Sequence, residues 1–346
     1  MNNLISSYTN WQPLESIIVG RVYRPEHFDF IENKKVKHQL SQLLQEAEED
    51  LQNLCDTIKS FGAEVLRPTL PNNEFLHQLW TRDQCFPMPP LTPRDWQITM
   101  GDKMLRVLNV PEMDRICNQL SLPDQSNIVD PHRNGWHDAH PLNGAVASCI
   151  VRVGTDVFFD NSEWMTEQHM EWIRDHVLDS RFRVRRAQTN GHGDAVFAIL
   201  KPGVIISSMH DGDIDYSESF PGWEVHRVWD ASIFAAHEIG RFRHENFNGR
   251  WYVQQANPSE EFATFVDTYL TKWTGYVSET VFDVNCLVLD EHNVIFSSYN
   301  RGVFDFCKKH RIEPIIVEQR HKYFFDSGIS CCTQDVRRRG GLESYL

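Results

Sequence analysis

Apolar positions along this chain follow two periods, and the switches between them lay out its elements. LESIIVG (14–20) reads as a strand, with apolar residues closing on a glycine. From about Val36 to Phe61 apolar residues stand at 36, 40, 43, 44, 47, 51, 54, 55 and 58, one continuous buried stripe of a helix. Gly62 ends it, and AEVLRP supplies the next strand. WQITMGDKMLRV (96–107) reads as a hairpin turning at Gly101-Asp102. AVASCIVRVGTDVFF (145–159) predicts two strands joined at Gly154-Thr155-Asp156, followed by an amphipathic stretch from Met165 to Leu178 and the strand FRVRRA. Val196 to Ser208 turns at Pro202-Gly203, with WEVHRVW (223–229) as a later strand. CLVLD (286–290) and VIFSS (294–298) flank Glu291-His292-Asn293, and a helix over 302–310 precedes the strand IEPIIVE (312–318).

Hairpin, helix and strand thus recur about five times, which points to a circular or stacked α/β architecture. No Pro/Gly/Ser linker divides the chain, so residues 1–346 are expected to form a single domain. At 346 residues and 41% hydrophobic content, a large core can be buried. Lys and Arg number 34 against 48 Asp and Glu, a formal charge of −14, with no basic stripe. That balance argues against a nucleic-acid partner. No run of about 18 apolar residues suggests a membrane span. The first residues, MNNLISSYTNWQPLES, carry neither the basic nor the apolar region of a leader. Eight scattered cysteines without paired spacing fit a reducing compartment, and the expected location is the cytoplasm.

Candidate chemistry gathers at the C-terminus, FDSGISCCTQDVRRRGGLESYL. Two adjacent cysteines, Cys331 and Cys332, follow a Ser-Gly turn and precede Arg337-Arg338-Arg339. Nearby positive charge lowers a thiol pKa, so the arginine run is expected to favour a thiolate. Asp335 to Gly340 and Ser344-Tyr345-Leu346 resemble the C-terminal signature of the amidinotransferases, the arginine:glycine and arginine:inosamine-phosphate enzymes. Ser7 to Glu15 with Ile18-Val19-Gly20 is similar to that family's opening, and NCLVLD (285–290) to one of its strands. The resemblance implies the five-bladed α/β propeller of the pentein superfamily, with the active site in the central channel.

The resemblance also assigns roles. Counting back from Asp335 places Cys331 on the family's nucleophile, with Ser330 in place of the preceding histidine. Pro93-Arg94-Asp95 stands directly before a hairpin, as in the family, so Asp95 is the first expected guanidinium ligand. Thr81-Arg82-Asp83 has no hairpin directly after it and is set aside. In Gly191-His192-Gly193-Asp194, His192 is the expected general acid/base and Asp194 the second ligand. Carboxylates suit a guanidinium because its fork of donors pairs with them bidentately, and histidine titrates near neutrality. The family aspartate that orients the histidine falls on Val146, so Asn143 is the substitute placed in the site, with Asp138 a further candidate. Asp211 stands where relatives carry an arginine for the donor carboxylate, and it favours an amine-rich substrate over a glycine-like one.

The function implied is transfer of an amidino group from arginine, or a related guanidino donor, to an amine through an amidino-cysteine, releasing ornithine. A guanidino-hydrolase or deiminase on the same fold, and a catalytically impaired guanidino-binding homologue, are the alternatives. No metal, nucleotide or other cofactor is required. The partners are two small molecules, a guanidino donor and an amine acceptor, and a homodimer is left open. His132, His137, Asp138 and His140 could hold zinc, but their spacing matches no established ligand pattern.

Overall fold

The computed structural model of the chain describes residues 4–74, 76–78, 85–108, 110, 113–114, 116, 127–131, 140–187, 192–208, 216–228, 259–274 and 282–346. Fifteen strands in this set form five three-stranded sheets. The first sheet joins β1 (Leu14–Val19), β2 (Glu64–Leu66) and β15 (Thr333–Arg338). The second holds β3 (Gln97–Met100), β4 (Lys103–Arg106) and β5 (Ile128–Val129), and the third β6 (Ile150–Val153), β7 (Asp156–Asp160) and β8 (Arg183–Ala187). The fourth contains β9 (Phe197–Lys201), β10 (Val204–Ser207) and β11 (Glu224–Arg227), and the fifth β12 (Leu287–Asp290), β13 (Asn293–Phe296) and β14 (Glu313–Ile316).

Every sheet has one pattern: a central strand pairs antiparallel on one side and parallel on the other. A parallel pair needs a long crossover, and helices supply it. Helix α1 (Lys34–Ser60) joins β1 to β2, α2 (Glu167–His176) joins β7 to β8, and a later helix, Arg301–Lys309, joins β13 to β14. Asn33 caps α1 by accepting from the Lys35 and Val36 amides at 3.0 and 3.3 Å, and the helix buries Val36, Leu40, Leu43, Leu44, Leu51, Leu54 and Ile58. These are the five repeated modules the hydrophobic pattern suggests. The first is permuted: β15, from the C-terminus, occupies the edge beside β1.

One expectation changes. Residues 145–149 do not extend a strand; Ala147–Cys149 form a 3-10 turn, closed by the Cys149 amide on the Val146 carbonyl at 3.2 Å, and β6 begins at Ile150. Arg337 and Arg338 lie in β15 against β1.

Short turns precede the first strand of every module: Pro93–Trp96, Ala147–Cys149, Gly193–Val196, residues 282–286 and residues 326–332. They touch in a closed circuit. Pro93–Trp96 packs on Ala147–Cys149, which packs on Gly193–Val196. The Asn285 side-chain amide donates to the Asp194 carbonyl at 3.1 Å and to Cys331 Sγ at 3.0 Å. Arg94 closes the circuit by donating to the Ser330 carbonyl at 2.9 Å.

Beneath this circuit lies a buried charge. Asp335 of β15 is fully buried and accepts two 2.9 Å hydrogen bonds from Arg152 of β6, one of 3.1 Å from Arg338, and one from Ser7. Burial alone would raise its pKa; Arg152 and Arg338 overcome that and hold the carboxyl far below the usual range. Burial and then Arg152 push Arg338 down to about 10 against the pull of Asp335, because one carboxylate serves several guanidinium groups.

Removing one partner from a buried ion pair leaves the other uncompensated. Asp335→Asn is therefore expected to cost about 3–5 kcal/mol of stability, read from urea unfolding at pH 7. The native pKa lies below the unfolded one, so this stability is present above the unfolded aspartate pKa of about 3.9 and is lost as pH falls toward the native value. The gap between wild type and variant should narrow below about pH 4; a gap unchanged down to pH 3 would contradict this account.

Candidate active site

Four side chains from the circuit meet where β9 and β15 begin. Cys331 is buried, with its Sγ 3.7 Å from Asp194 Oδ2. Asp95 Oδ1 lies 3.6 Å from His192 Nδ1. Arg94 Nε sits 3.7 Å from Asp194 Oδ2 while bonded to the Ser330 carbonyl. The structure thus brings together Cys331, His192, Asp95 and Asp194.

Local sequence explains each placement. Pro93 fixes the first residue of its turn, and the Asp95 amide closes it on the Thr92 carbonyl at 3.1 Å. His192 caps the turn Gly193–Val196, which carries Asp194, and its ring meets Trp164 edge-on with centroids 5.3 Å apart. At Gly328 a Cβ would come within 2.4 Å of Asn285 Oδ1, so only glycine allows that amide to lie against the turn carrying the thiol.

The electrostatics correct one expectation. Burial, then the charges of Asp194 and Asp95, push the Cys331 thiol well above its ordinary pKa. The arginine run does not reverse this, because its charge is used elsewhere. Arg337 pairs with Glu15 at 2.8 Å, Arg338 with Asp335 and the Gln12 carbonyl, and Arg339 is exposed. Burial also raises the pKa of Asp194, opposed by Arg94 and His192 and reinforced by Asp95. Cys332 faces the other way, its thiol 3.0 Å from Ser327 Oγ, and burial pushes it up to about 11.

One oxygen on each aspartate, Asp95 Oδ1 and Asp194 Oδ1, is buried with no hydrogen-bond partner among the described residues. Buried acceptors of this kind call for donors. A planar cation offers them, with its carbon beside a thiol and its nitrogens near an imidazole.

Other expected residues lie elsewhere. Asn143 is exposed in the turn 141–144, and its carbonyl accepts from His169 at 3.2 Å. Asp83, Asp138, Asp211 and the cluster residues His132 and His137 lie outside the described residues. His140 packs its ring on Trp172 at 5.2 Å. Residue-by-residue reading missed Arg94, Trp164 and Asn285 as site members. Arg94 stands inside the Pro-Arg-Asp already noted and Asn285 opens NCLVLD, so both signals were adjacent to ones used.

No protein-family profile matches the sequence. Curated relatives nevertheless align over nearly all of it. The L-arginine:L-lysine amidinotransferase of Pseudomonas savastanoi pv. phaseolicola is 22% identical over 391 residues, covering 99% of this chain and 96% of the relative. Inosamine-phosphate amidinotransferase 1 of Streptomyces glaucescens is 22% identical over 392 residues, with 99% of both chains covered. Among solved structures, an inosamine-phosphate amidinotransferase from Streptomyces griseus superposes with a TM-score of 0.68 at 17% identity, covering 99% of each chain. A dimethylarginine dimethylaminohydrolase superposes less closely, with a TM-score of 0.51 at 12% identity over 93% of this chain and 99% of that one. The chain resembles amidinotransferases along its whole length, and its fold is the five-module pentein fold.

Arg94 offsets part of the burial that raises Asp194, so replacing it should raise that carboxyl further. With guanidino substrates, Arg94→Met is expected to lower kcat/KM at pH 7 by about tenfold or more. The acid limb of the kcat/KM profile should move to higher pH, since ionised Asp194 then appears later. An unmoved limb would mean that Arg94 only holds the backbone.

Proposed function

We propose that this enzyme of the amidinotransferase type moves an amidino group from arginine, or a related guanidino donor, to an amine through a covalent adduct on Cys331. The observation that carries the reading is the pair of buried carboxylate oxygens on Asp95 and Asp194 that have no hydrogen bond among the described residues, beside a thiol and a histidine.

The donor guanidinium lies between the two carboxylates and neutralises the charges that hold the thiol protonated. The thiol proton passes to His192 and the Cys331 thiolate attacks the central carbon. As the carbon–nitrogen bond breaks, His192 returns that proton to the departing amine, which leaves as ornithine when the donor is arginine. The amidino group remains on sulfur. An acceptor amine gives a proton to His192 and attacks the same carbon; the sulfur–carbon bond breaks, the sulfur leaves as thiolate, and His192 returns the proton to it to restore the cysteine. The chain's residues supply every proton transfer. Asp211, by its charge, favours acceptors that present an amine rather than a carboxylate there.

Incubation with arginine and a panel of glycine, lysine and diamines tests the whole reading. Ornithine with a guanidinylated amine supports transfer, citrulline would assign a hydrolase instead, and neither product would assign a binding protein.

Cys331, not Cys332, should carry the intermediate. Intact mass after donor exposure is expected to show an increase of about 42 Da from the added amidino group. Cys331→Ala should abolish it and Cys332→Ala retain it; the reverse pattern would overturn the assignment.

Asp95→Asn and Asp194→Asn each leave the cation half-paired. Either change is expected to reduce kcat/KM by roughly thirtyfold or more, whereas Asp83→Asn should stay near wild type. A large loss at Asp83 with none at Asp95 would put the guanidinium in the other Arg-Asp motif.

A further inference from the structure

Asn285 makes more contacts to the nucleophile's turn than any side chain the sequence pattern singles out. It is fully buried at the start of the last module's hairpin. Its Oδ1 accepts from the Ser330 amide at 2.8 Å and the Cys331 amide at 3.3 Å, fixing which end of the side chain is oxygen. Its Nδ2 therefore points at Cys331 Sγ, 3.0 Å away, with further contacts to the Asp194 carbonyl at 3.1 Å and Asp194 Oδ2 at 3.4 Å. Gly328 leaves the room this requires.

We infer that Asn285 is a catalytic residue of the proposed reaction, the fixed hydrogen-bond donor that stabilises Cys331 as thiolate. The inference rests on Cys331 being the nucleophile. Apart from a backbone hydrogen bond at Gly328, which favours its charge, the other groups facing that sulfur disfavour it. Asp194 and Asp95 approach from the turns before β9 and β3, Cys332 is the chain neighbour, and burial removes water. Arg94 and His192 are directed at Asp194 and Asp95. A neutral amide supports a thiolate without bringing a second cation to the two carboxylates that the donor must occupy, which a lysine or arginine at 285 would do; its own contact to Asp194 Oδ2 is the long one, 3.4 Å. Hydrogen bonds to charged groups are stronger than neutral ones. The same amide follows the sulfur through the cycle, favouring its negative form when it attacks and again when the amidino group leaves.

The test is the pH dependence of Cys331 alkylation by iodoacetamide, without donor or acceptor, followed by peptide mass in a Cys332→Ala background. Asn285→Ala should slow alkylation at pH 7 by about ten- to a hundredfold, with the rate recovering at higher pH. Asn285→Asp, which puts a third carboxylate on the sulfur, should slow it more. Gly328→Ala displaces the amide without removing it and should shift the profile the same way. In the unaltered protein, the Asn285 Nδ2 resonance should titrate together with Cys331. Folded variants whose alkylation profile matches wild type, or an Nδ2 signal indifferent to the thiol, would reduce Asn285 to a packing residue. Because no substrate enters this measurement, its outcome is independent of whether the reaction is transfer or hydrolysis.

Discussion

A single buried carboxylate, Asp335, dictates much of the architecture. A charge with no exposed surface is not tolerated unless paired and hydrogen-bonded. Asp335 meets that requirement with Arg152 from the third module, Arg338 from its own strand and Ser7 from the N-terminal segment, with Arg94 at 3.7 Å. Those groups come from distant parts of the chain, so satisfying one charge fixes how the modules meet. Arg94 carries the constraint into the site, since the guanidinium near Asp335 also holds the Ser330 carbonyl and flanks Asp194. The turn carrying Cys331 is thus held through the same guanidinium that serves the buried Asp335.

The site above that cluster has the opposite balance. Around Asp335, cations outnumber the anion they serve. Around Cys331, two carboxylates face a buried thiol, with the Arg94 guanidinium and the His192 imidazole beside them. The thiol is pushed up and the carboxylates keep unpaired oxygens, so the free site is poised for a cation rather than for attack. In the proposed reaction a guanidinium changes both conditions together: it pairs the oxygens and removes the field that keeps sulfur protonated. In that proposal binding and activation are one event.

The modular fold is legible in the sequence because each hairpin is a short apolar run around a Gly, Pro or Asn turn. The α1 stripe survives intact from position 36 to 58 because every apolar residue in it faces one core. What fails is instructive. AVASC (145–149) is apolar enough for a strand, yet it folds as a turn because its side chains are buried beneath the site while strand pairing starts only at Ile150. The resemblance singled out Cys331, His192, Asp95 and Asp194, side chains the fold brings together, because short motifs keep them next to recognisable turns. The state of the thiol was not legible. Three arginines close in sequence suggest an activating field, but two of their charges are taken up away from the thiol: Glu15, over three hundred residues away, binds Arg337, and the buried Asp335 binds Arg338, which also reaches the Gln12 carbonyl. Asn285 was equally hidden, since an asparagine before a strand has many ordinary uses and only the fold brings it to sulfur.

Repetition explains how the chemistry came to sit in one place. Asp95, Ser148, Asn285 and Cys331 each stand two residues before the first strand residue of a module, and Asp194 three residues before. Five copies of one backbone plan bring five near-equivalent positions into contact, and the residue type at each decides what it contributes. Two positions carry carboxylates, one carries a thiol, and one an amide that lies beside it. The third module is the exception. Ser148 is buried with its hydroxyl unpaired among the described residues, and Val146 occupies the position where the resembled family places its histidine-orienting aspartate. The carboxylate that stands beside His192 belongs instead to the second module, Asp95 at 3.6 Å. One aspartate then faces both the imidazole and the expected guanidinium, so the proton carrier and the bound cation share a counter-ion. A third carboxylate at position 146 would have given the imidazole a partner separate from the one the cation is expected to use.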